Sequence, residues 1–304
     1  MSDERGHAFT FAAARAAGMS TGRLRHTRFA RPFHGVRVDG RFDGTDIEAR
    51  ARALRPRMAA GQFFAHATAA ALLGIPLPRR LADPGSDLEL GVFAPDRAPQ
   101  LRGVRSHEIT WTGQQLVNLR GLPVLGPADT WAQLSTALSI EELVIAADWL
   151  ITGDEPYSGA APPSSLVELD QAIARRGRMR GVRSLRAAKE RTRYGSLSPQ
   201  ETRLRLLLAD AHLPEPALNH RIVDDHGALV AMVDFAYPDR SVALEYLGDH
   251  HRTERSVYRD DILRRERLTA RGWSVIYTTA ADLVSPAFLL IRLRRLLAST
   301  GKTS

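Results

Sequence analysis

Two acidic residues stand inside runs that are otherwise apolar: Asp234 in Val233–Asp234–Phe235, and Glu245 in Ala243–Leu244–Glu245–Tyr246–Leu247. A polar turn, Gly248–Asp249–His250–His251–Arg252, follows the second. A carboxylate within a buried strand is costly unless something pairs with it, and a divalent metal is one such partner. Strand side chains alternate, so Glu245 and Leu247 share one face while Tyr246 takes the other. If the short turn Pro238–Asp239–Arg240 makes the two strands neighbours, both carboxylates can meet on one sheet face. Two carboxylates, waters and a phosphate oxygen satisfy octahedral magnesium. Such an ion lowers the pKa of bound water and neutralises charge that develops during phosphoryl transfer, so the chemistry indicated is phosphodiester hydrolysis.

Each residue also has a purely structural reading. Asp234 can begin the turn toward Pro238, and Glu245 can pair with Arg264 or Arg265 of the following helix. His250 and His251 can be turn residues, and Asp260 and Asp261 can cap or salt-bridge within that helix.

The elements that must position these residues are clearest in the last hundred residues. Ser198–Pro199–Gln200–Glu201 opens a periodic helix, ETRLRLLLADAHL, that stops at Pro214. Ser198-x-x-Glu201 is itself a capping-box pattern, with the glutamate reaching back to the serine amide. Strands are expected at 217–223, 229–237 and 240–247, joined by the turns Asp224–Asp225–His226–Gly227 and Pro238–Asp239–Arg240. A charged helix over roughly 254–271, a strand at Trp273–Thr278 and a helix at 285–298 complete an α-β-β-β-α-β-α order.

Toward the N-terminus, 8–27 reads as two short helices around a turn near Gly18, the second opening at Ser20 or Thr21. Phe29 to Val38 fits a short hairpin or wing. In a helix–turn–helix the second helix enters the major groove, which would turn Arg23, Arg25 and His26 toward DNA; in a generic helical hairpin they would be solvated side chains. Residues 45–75 look helical, with an interruption near Pro56 and an end at Leu73–Gly74. His66, within FFAHATAAALLG, reads as a packed or capping histidine. Short β-like runs follow at Asp87–Phe93, Gly103–His107 and Leu116–Val124, then helices at 127–137 and 140–151. Nothing in the spacing of 39–151 suggests a reactive constellation. A proline- and glycine-rich stretch, Gly153–Ser164, looks like a linker. Two basic helices, 165–176 and 182–192, flank an arginine cluster in which Arg178 and Arg180 are either phosphate contacts or solvated turn residues.

Composition narrows the partners. The 304 residues suggest two or three domains, and 44% hydrophobic with 25% charged residues is ordinary for a globular protein. Cysteine is absent, which excludes disulfides and thiolate metal sites and fits a cytoplasmic setting. No apolar run reaches the roughly 18–20 residues that span a bilayer, and the first residues lack signal-peptide order, so no membrane partner is expected. The formal charge is +8, and Lys189 and Lys302 are the only lysines among 42 basic residues, leaving 40 arginines. Base composition can explain that bias; arginine is also the side chain best suited to bidentate phosphate contact, which favours DNA as the partner.

Residues 196–298 resemble the PD-(D/E)XK (restriction-endonuclease-like) superfamily, and within it the branch similar to very-short-patch-repair (Vsr) endonucleases. The likeness rests on Glu201, Asp234 and Glu245, on LEYLGDHHR, and on YRDDILRRERLTARGWSVIYTT. Residues 8–38 and the region after them resemble, more weakly, the winged-helix part of AbiEi-type antitoxins. The resemblance implies an α/β multi-domain chain: a helix–turn–helix with wing over 1–38, a mixed α/β middle region over 39–152, linker and basic helices over 153–195, and a nuclease-fold domain over 196–304. It implies Asp234 and Glu245 as ligands of Mg2+ or Mn2+, with Glu201 completing the site and His250 or His251 in proton transfer. The chain departs from the pattern at Leu247, where the superfamily motif carries lysine. The expected function is metal-dependent cleavage of DNA; the alternative is a non-catalytic, antitoxin-like DNA-binding regulator with a degenerate nuclease fold. A toxin or defence-system partner stays open.

Overall fold

The computed structural model describes residues 7–40, 42–247 and 266–299. It is a mixed α/β protein with three sheets among the described residues, in two compact units: 1–146 with 164–189, and 147–163 with 190–304. The stretch expected as linker and basic helices is thus divided between the two. Among the described residues no helix is long and apolar enough to cross a membrane.

The first unit begins with β1 (His7–Thr10), α1 (Phe11–Ala16), α2 (Thr21–Leu24), β2 (Phe29–Ala30) and β3 (Val36–Asp39). Residues 8–10, expected as helix, belong instead to a strand that pairs with β3, and β2 pairs with the other edge of β3. The helix pair is shorter than its sequence suggests. Thr10 caps α1 through Ala13 N, Gly18 turns the chain at φ +86°, and Ser20 caps α2 through Arg23 N. Hydroxyl caps satisfy amides that a four-residue helix could not satisfy alone.

Next come α3 (Ile47–Leu54), β4 (Phe63–Phe64), α4 (His66–Leu73), β5 (Leu88–Phe93), β6 (Val104–Ile109), β7 (Leu116–Leu119) and β8 (Leu122–Leu125). The expected long helix over 45–75 is therefore broken by a strand. Phe63 and Phe64 are both fully buried, and β4 lies in the middle of a five-stranded sheet ordered β6-β5-β4-β8-β7. The expected strand over 116–124 is a hairpin, because Arg120 and Gly121 both take positive φ, as a tight two-residue turn requires. Four helices follow: α5 (Pro127–Gln133), α6 (Ile140–Thr152), α7 (Glu155–Ser158) and α8 (Leu166–Arg176). After them, α9 spans Val182–Arg191.

The second unit is built on α10 (Pro199–Asp210), β9 (Ala217–Val223), β10 (Leu229–Tyr237) and β11 (Val242–Tyr246). A helical stretch at 266–270 precedes β12 (Ser274–Thr278), α11 (Ala280–Val284) and α12 (Ala287–Ala298). The expected final helix, 285–298, is α12, and Ser285 and Pro286 separate it from the additional short helix α11. The sheet order is β12-β11-β10-β9, with β9, β10 and β11 antiparallel in sequence and β12 parallel to β11. Leu204 and Leu208 of α10 pack with Phe235, Leu244, Ile276, Leu289 and Leu293 to form the core.

One buried polar knot holds α10 in place. The Asp148 carboxylate, 1% exposed, accepts from Arg193 N (2.7 Å), Thr202 Oγ1 (2.9 Å) and Arg205 Nη2 (2.7 Å). Burial still pushes this carboxyl above its ordinary pKa, although Arg205 and the other donors oppose it. Removing one member leaves an uncompensated charge in the interior, so Asp148→Ala should cost about 3–5 kcal/mol in urea denaturation. The double replacement Asp148→Leu with Arg205→Met should recover much of that loss. A single mutant within about 0.5 kcal/mol of the wild type would show the knot to be dispensable.

Candidate functional site

The carboxylates singled out by the sequence belong to three elements of the second unit. Phe235 pairs with Leu244 and Ala236 with Ala243; continuing that register by one residue sets Asp234 across from Glu245. Asp234 Oδ2 accepts the backbone N–H of Tyr246 at 2.7 Å, so this side chain takes the ladder bond at the end of the pairing. Glu245 is 8% exposed, and its carbonyl accepts from Thr278 Oγ1 at 3.1 Å. The turn reading of Asp234 is not what the structure shows, since the residue lies within β10.

Glu201 comes to the same place from the first turn of α10. Its N–H donates to Ser198 Oγ, the N-cap bond that the sequence suggests. The reciprocal bond differs from the expected capping box: Glu201 Oε2 accepts from Leu197 N at 2.9 Å, one residue earlier than the serine amide. Burial, and next the negative charge of Asp234, push the Glu201 carboxyl up to about 7. Hydrogen bonds from Leu197, Ser198 and Asn219 oppose that rise. Asn219 takes a left-handed backbone (φ 45°) and also donates to the Gly195 carbonyl. Sequence reasoning missed Asn219; its only signal is an amide among the β9 residues Ala217–Val223.

The three carboxylates are neighbours without closing into one tight group. Among the described residues, the His/Asp/Glu group whose ligand atoms all lie within 4.8 Å of one another is His66–Glu89–His107, in the first unit. Leu247 is half-buried, and its N–H donates to the Thr278 carbonyl at 2.7 Å. His250, His251, Asp260, Asp261, Arg264 and Arg265 lie outside the described residues.

That histidine–glutamate group is a cluster of donors that the spacing of 39–151 did not suggest, and it includes His66, expected as a packed or capping histidine. Its members are 18 and 23 residues apart, so no short motif announces them. His66 opens α4 with a left-handed backbone (φ 48°), and its N–H donates to Gln133 Oε1 at 2.9 Å. Glu89 on β5 accepts Ala67 N at 2.7 Å through Oε2, and its Oε1 lies 3.4 Å from His107 Nε2. In the parallel β5–β6 register Glu89 pairs with Arg105 and Gly91 with His107, which puts Glu89 and His107 on the same sheet face. The two imidazole rings lie 4.0 Å apart. Burial, then the charge of His107, pull the His66 pKa down to about 4; Arg176 and Arg105 add to the fall and Glu89 opposes it. Burial alone would raise Glu89, but His107, the Ala67 amide and His66 together hold it below its ordinary value.

Arginines expected to contact DNA fall into two kinds. Arg23, Arg25 and His26 are exposed, as are Arg178 and Arg180. Arg175 in the same cluster is structural, making two bonds to Asp129 at 2.8 and 3.0 Å. A cleft of about 780 Å3 in the first unit is lined by Arg25, Arg31, Arg37, Arg102 and His34. Burial, followed by the charges of Arg31 and Arg25, lowers the Arg37 pKa. Such mutual repulsion among guanidinium groups is relieved by an anion. Spacing along the chain does not join Arg102 to the N-terminal arginines, because the two stretches meet only in the fold.

No protein-family model matches the chain. It is similar to "Uncharacterized protein MT2308" from Mycobacterium tuberculosis strain CDC 1551 / Oshkosh and to "Uncharacterized protein Rv2248" from the H37Rv strain of that species. Each is 32% identical over 133 residues, covering 42% of this chain and 47% of the relative. The match therefore spans about half the length of those relatives. A solved structure, the "RV2827C protein from Mycobacterium tuberculosis", aligns over 71% of this chain and 83% of its own at 18% identity. Its TM-score of 0.38 carries no argument about the site.

The raised Glu201 carboxyl has a pH signature. Between 4.5 and about 7 the folded chain keeps a proton that the unfolded chain has released, so stability falls as pH rises through that window. Thermal unfolding of metal-free wild type and Glu201→Gln at pH 5 and pH 8 should show the variant gaining about 2 kcal/mol relative to wild type at the higher pH. Parallel pH profiles for the two proteins would mean that Glu201 titrates normally.

Proposed function

We propose that this chain is a DNA-binding protein whose second unit hydrolyses phosphodiester bonds with Mg2+ or Mn2+ held at Asp234 and Glu245, with Glu201 beside them. The observation that carries the reading is the juxtaposition of three carboxylates: Asp234 across from Glu245 in register, and Glu201 close enough for the charge of Asp234 to raise its pKa. Like charges gathered in a half-buried place suit a hard divalent cation, which takes oxygen donors and keeps several waters. When bound, the ion would supply Lewis-acid stabilisation and a more acidic water. The chain's own groups would orient the site: Tyr246 N–H fixes Asp234, and Leu197 N–H with Asn219 fixes Glu201. The order α10, β9 to β11, then β12 parallel to β11, also supports the likeness to the PD-(D/E)XK superfamily. The arginine cleft around Arg37 supports a nucleic-acid partner, with Arg23, His26, Arg178 and Arg180 as further contacts. A cytoplasmic setting fits that role.

Two observations favour a second reading, a non-catalytic DNA-binding regulator. Leu247 offers no donor where the superfamily places lysine, and the three carboxylates do not close into one ligand group among the described residues. A plasmid-nicking assay separates the two. The nuclease reading expects Mg2+- or Mn2+-dependent nicking that falls to background in Asp234→Asn and in Glu245→Gln. Retained DNA affinity without nicking on duplex, mismatched or single-stranded substrates would establish the regulator instead. Under either reading, affinity falls steeply with salt, and Arg25→Ala or Arg102→Ala each lowers the salt slope by about 1. Absence of binding at low salt removes both.

A further inference from the structure

A separate group of donors belongs to the first unit and shares no residue with the carboxylate group of the second. We propose that His66, Glu89 and His107 form a binding site for a zinc-class divalent transition metal ion, with three protein donors and one position left for an exogenous ligand. Two imidazoles with one carboxylate are a donor set that suits borderline-soft ions, in contrast to the all-oxygen set at Asp234.

The geometry is the main support. All three ligand atoms lie within 4.8 Å of one another. Bonds of about 2.0–2.1 Å at a tetrahedral angle put neighbouring ligand atoms roughly 3.3–3.4 Å apart. Glu89 Oε1 and His107 Nε2 are 3.4 Å apart, matching that edge and exceeding the length of a good N–H···O bond. His107 Nε2 is shielded from solvent and has no hydrogen-bond partner among the described residues. A buried ring nitrogen in that state is costly, and an ion between it and Glu89 would satisfy both.

The surroundings prepare the donors. Ala67 N–H orients the glutamate through its other oxygen, the kind of support that metal-bound carboxylates receive. Gln133 holds the His66 backbone in its left-handed conformation, and non-glycine residues of that kind gather at functional sites. Arg105 and Arg176 act on the same group and oppose a cation; Glu89 offsets one charge, and an anion in the open position would offset another. Glu89 and Arg105 also line a cleft of about 630 Å3.

The test uses the full chain, stripped with chelator, given one equivalent of Zn2+ or Co2+ and desalted. Elemental analysis should find about one zinc per chain, and the cobalt form should show visible d–d absorption of a four- or five-coordinate site. Glu89→Gln and His107→Gln should each lose retained metal, whereas Asp234→Asn with Glu245→Gln should keep it, which separates this site from the proposed nuclease centre. X-ray absorption of the zinc-loaded wild type guards against variants that fail to fold: two imidazole ligands are expected. Wild type that desalts free of metal, fewer than two imidazoles, or equal retention in the Glu89 and His107 variants would each overturn the proposal.

Discussion

The second unit depends on where the charge of Asp148 is neutralised. Its carboxylate gathers a backbone amide, a hydroxyl and a guanidinium, and two of those donors, Thr202 and Arg205, lie on the helix that carries Glu201. Helix α10 thus has an ionic knot next to its first turn and a leucine face against the sheet. Dispersion forces would tolerate sliding of that helix by a fraction of a turn; its two directed bonds to one buried carboxylate would not. The position of Glu201 relative to Asp234 follows from that restriction. An interior ion pair is weak ground for stability, but it is good ground for a fixed register.

Much of the second unit is legible in the sequence because its signals are local. The Asp224–Gly227 turn, the Pro238 turn and the leucine periodicity of α10 each act over a few residues. The pairing of Asp234 with Glu245 follows from turn length alone. Less of the first unit can be read this way. The strand at Phe63–Phe64 is two residues long and is set by its neighbours in the sheet, so the helical pattern on both sides masks it. His66, Glu89 and His107 meet only after β4, β5 and β6 are assembled. Asp148 is visible as an acid in the apolar run VIAADWLI, yet its three donors come from a stretch more than forty residues later.

The two groups of acidic and basic donors reflect different solutions to the same problem. At Glu201 the interior suppresses a charge, since burial, and next the Asp234 carboxylate, make its carboxyl hold its proton to about neutrality. At Glu89 the interior preserves one, since an amide and two imidazoles outweigh the cost of burial. The sheet supports both arrangements in the same manner: adjacent strands bring side chains from distant parts of the chain onto one face, and a helix N-terminus adds the third member. What differs is the chemistry: three carboxylates in one unit, one carboxylate and two imidazoles in the other.

The left-handed backbone at His66 sets conformation and chemistry against each other at a single position. Local sterics there would favour glycine or asparagine, residues for which positive φ carries little penalty. A histidine in that conformation is retained against the preference of its own backbone. The position is therefore one at which a lineage could discard the imidazole and relax the chain in the same step, leaving α4, its glycine cap and the sheet beneath it unchanged. Drift at this residue would erase the donor group while the fold persisted, so two homologues of equal overall similarity need not share it.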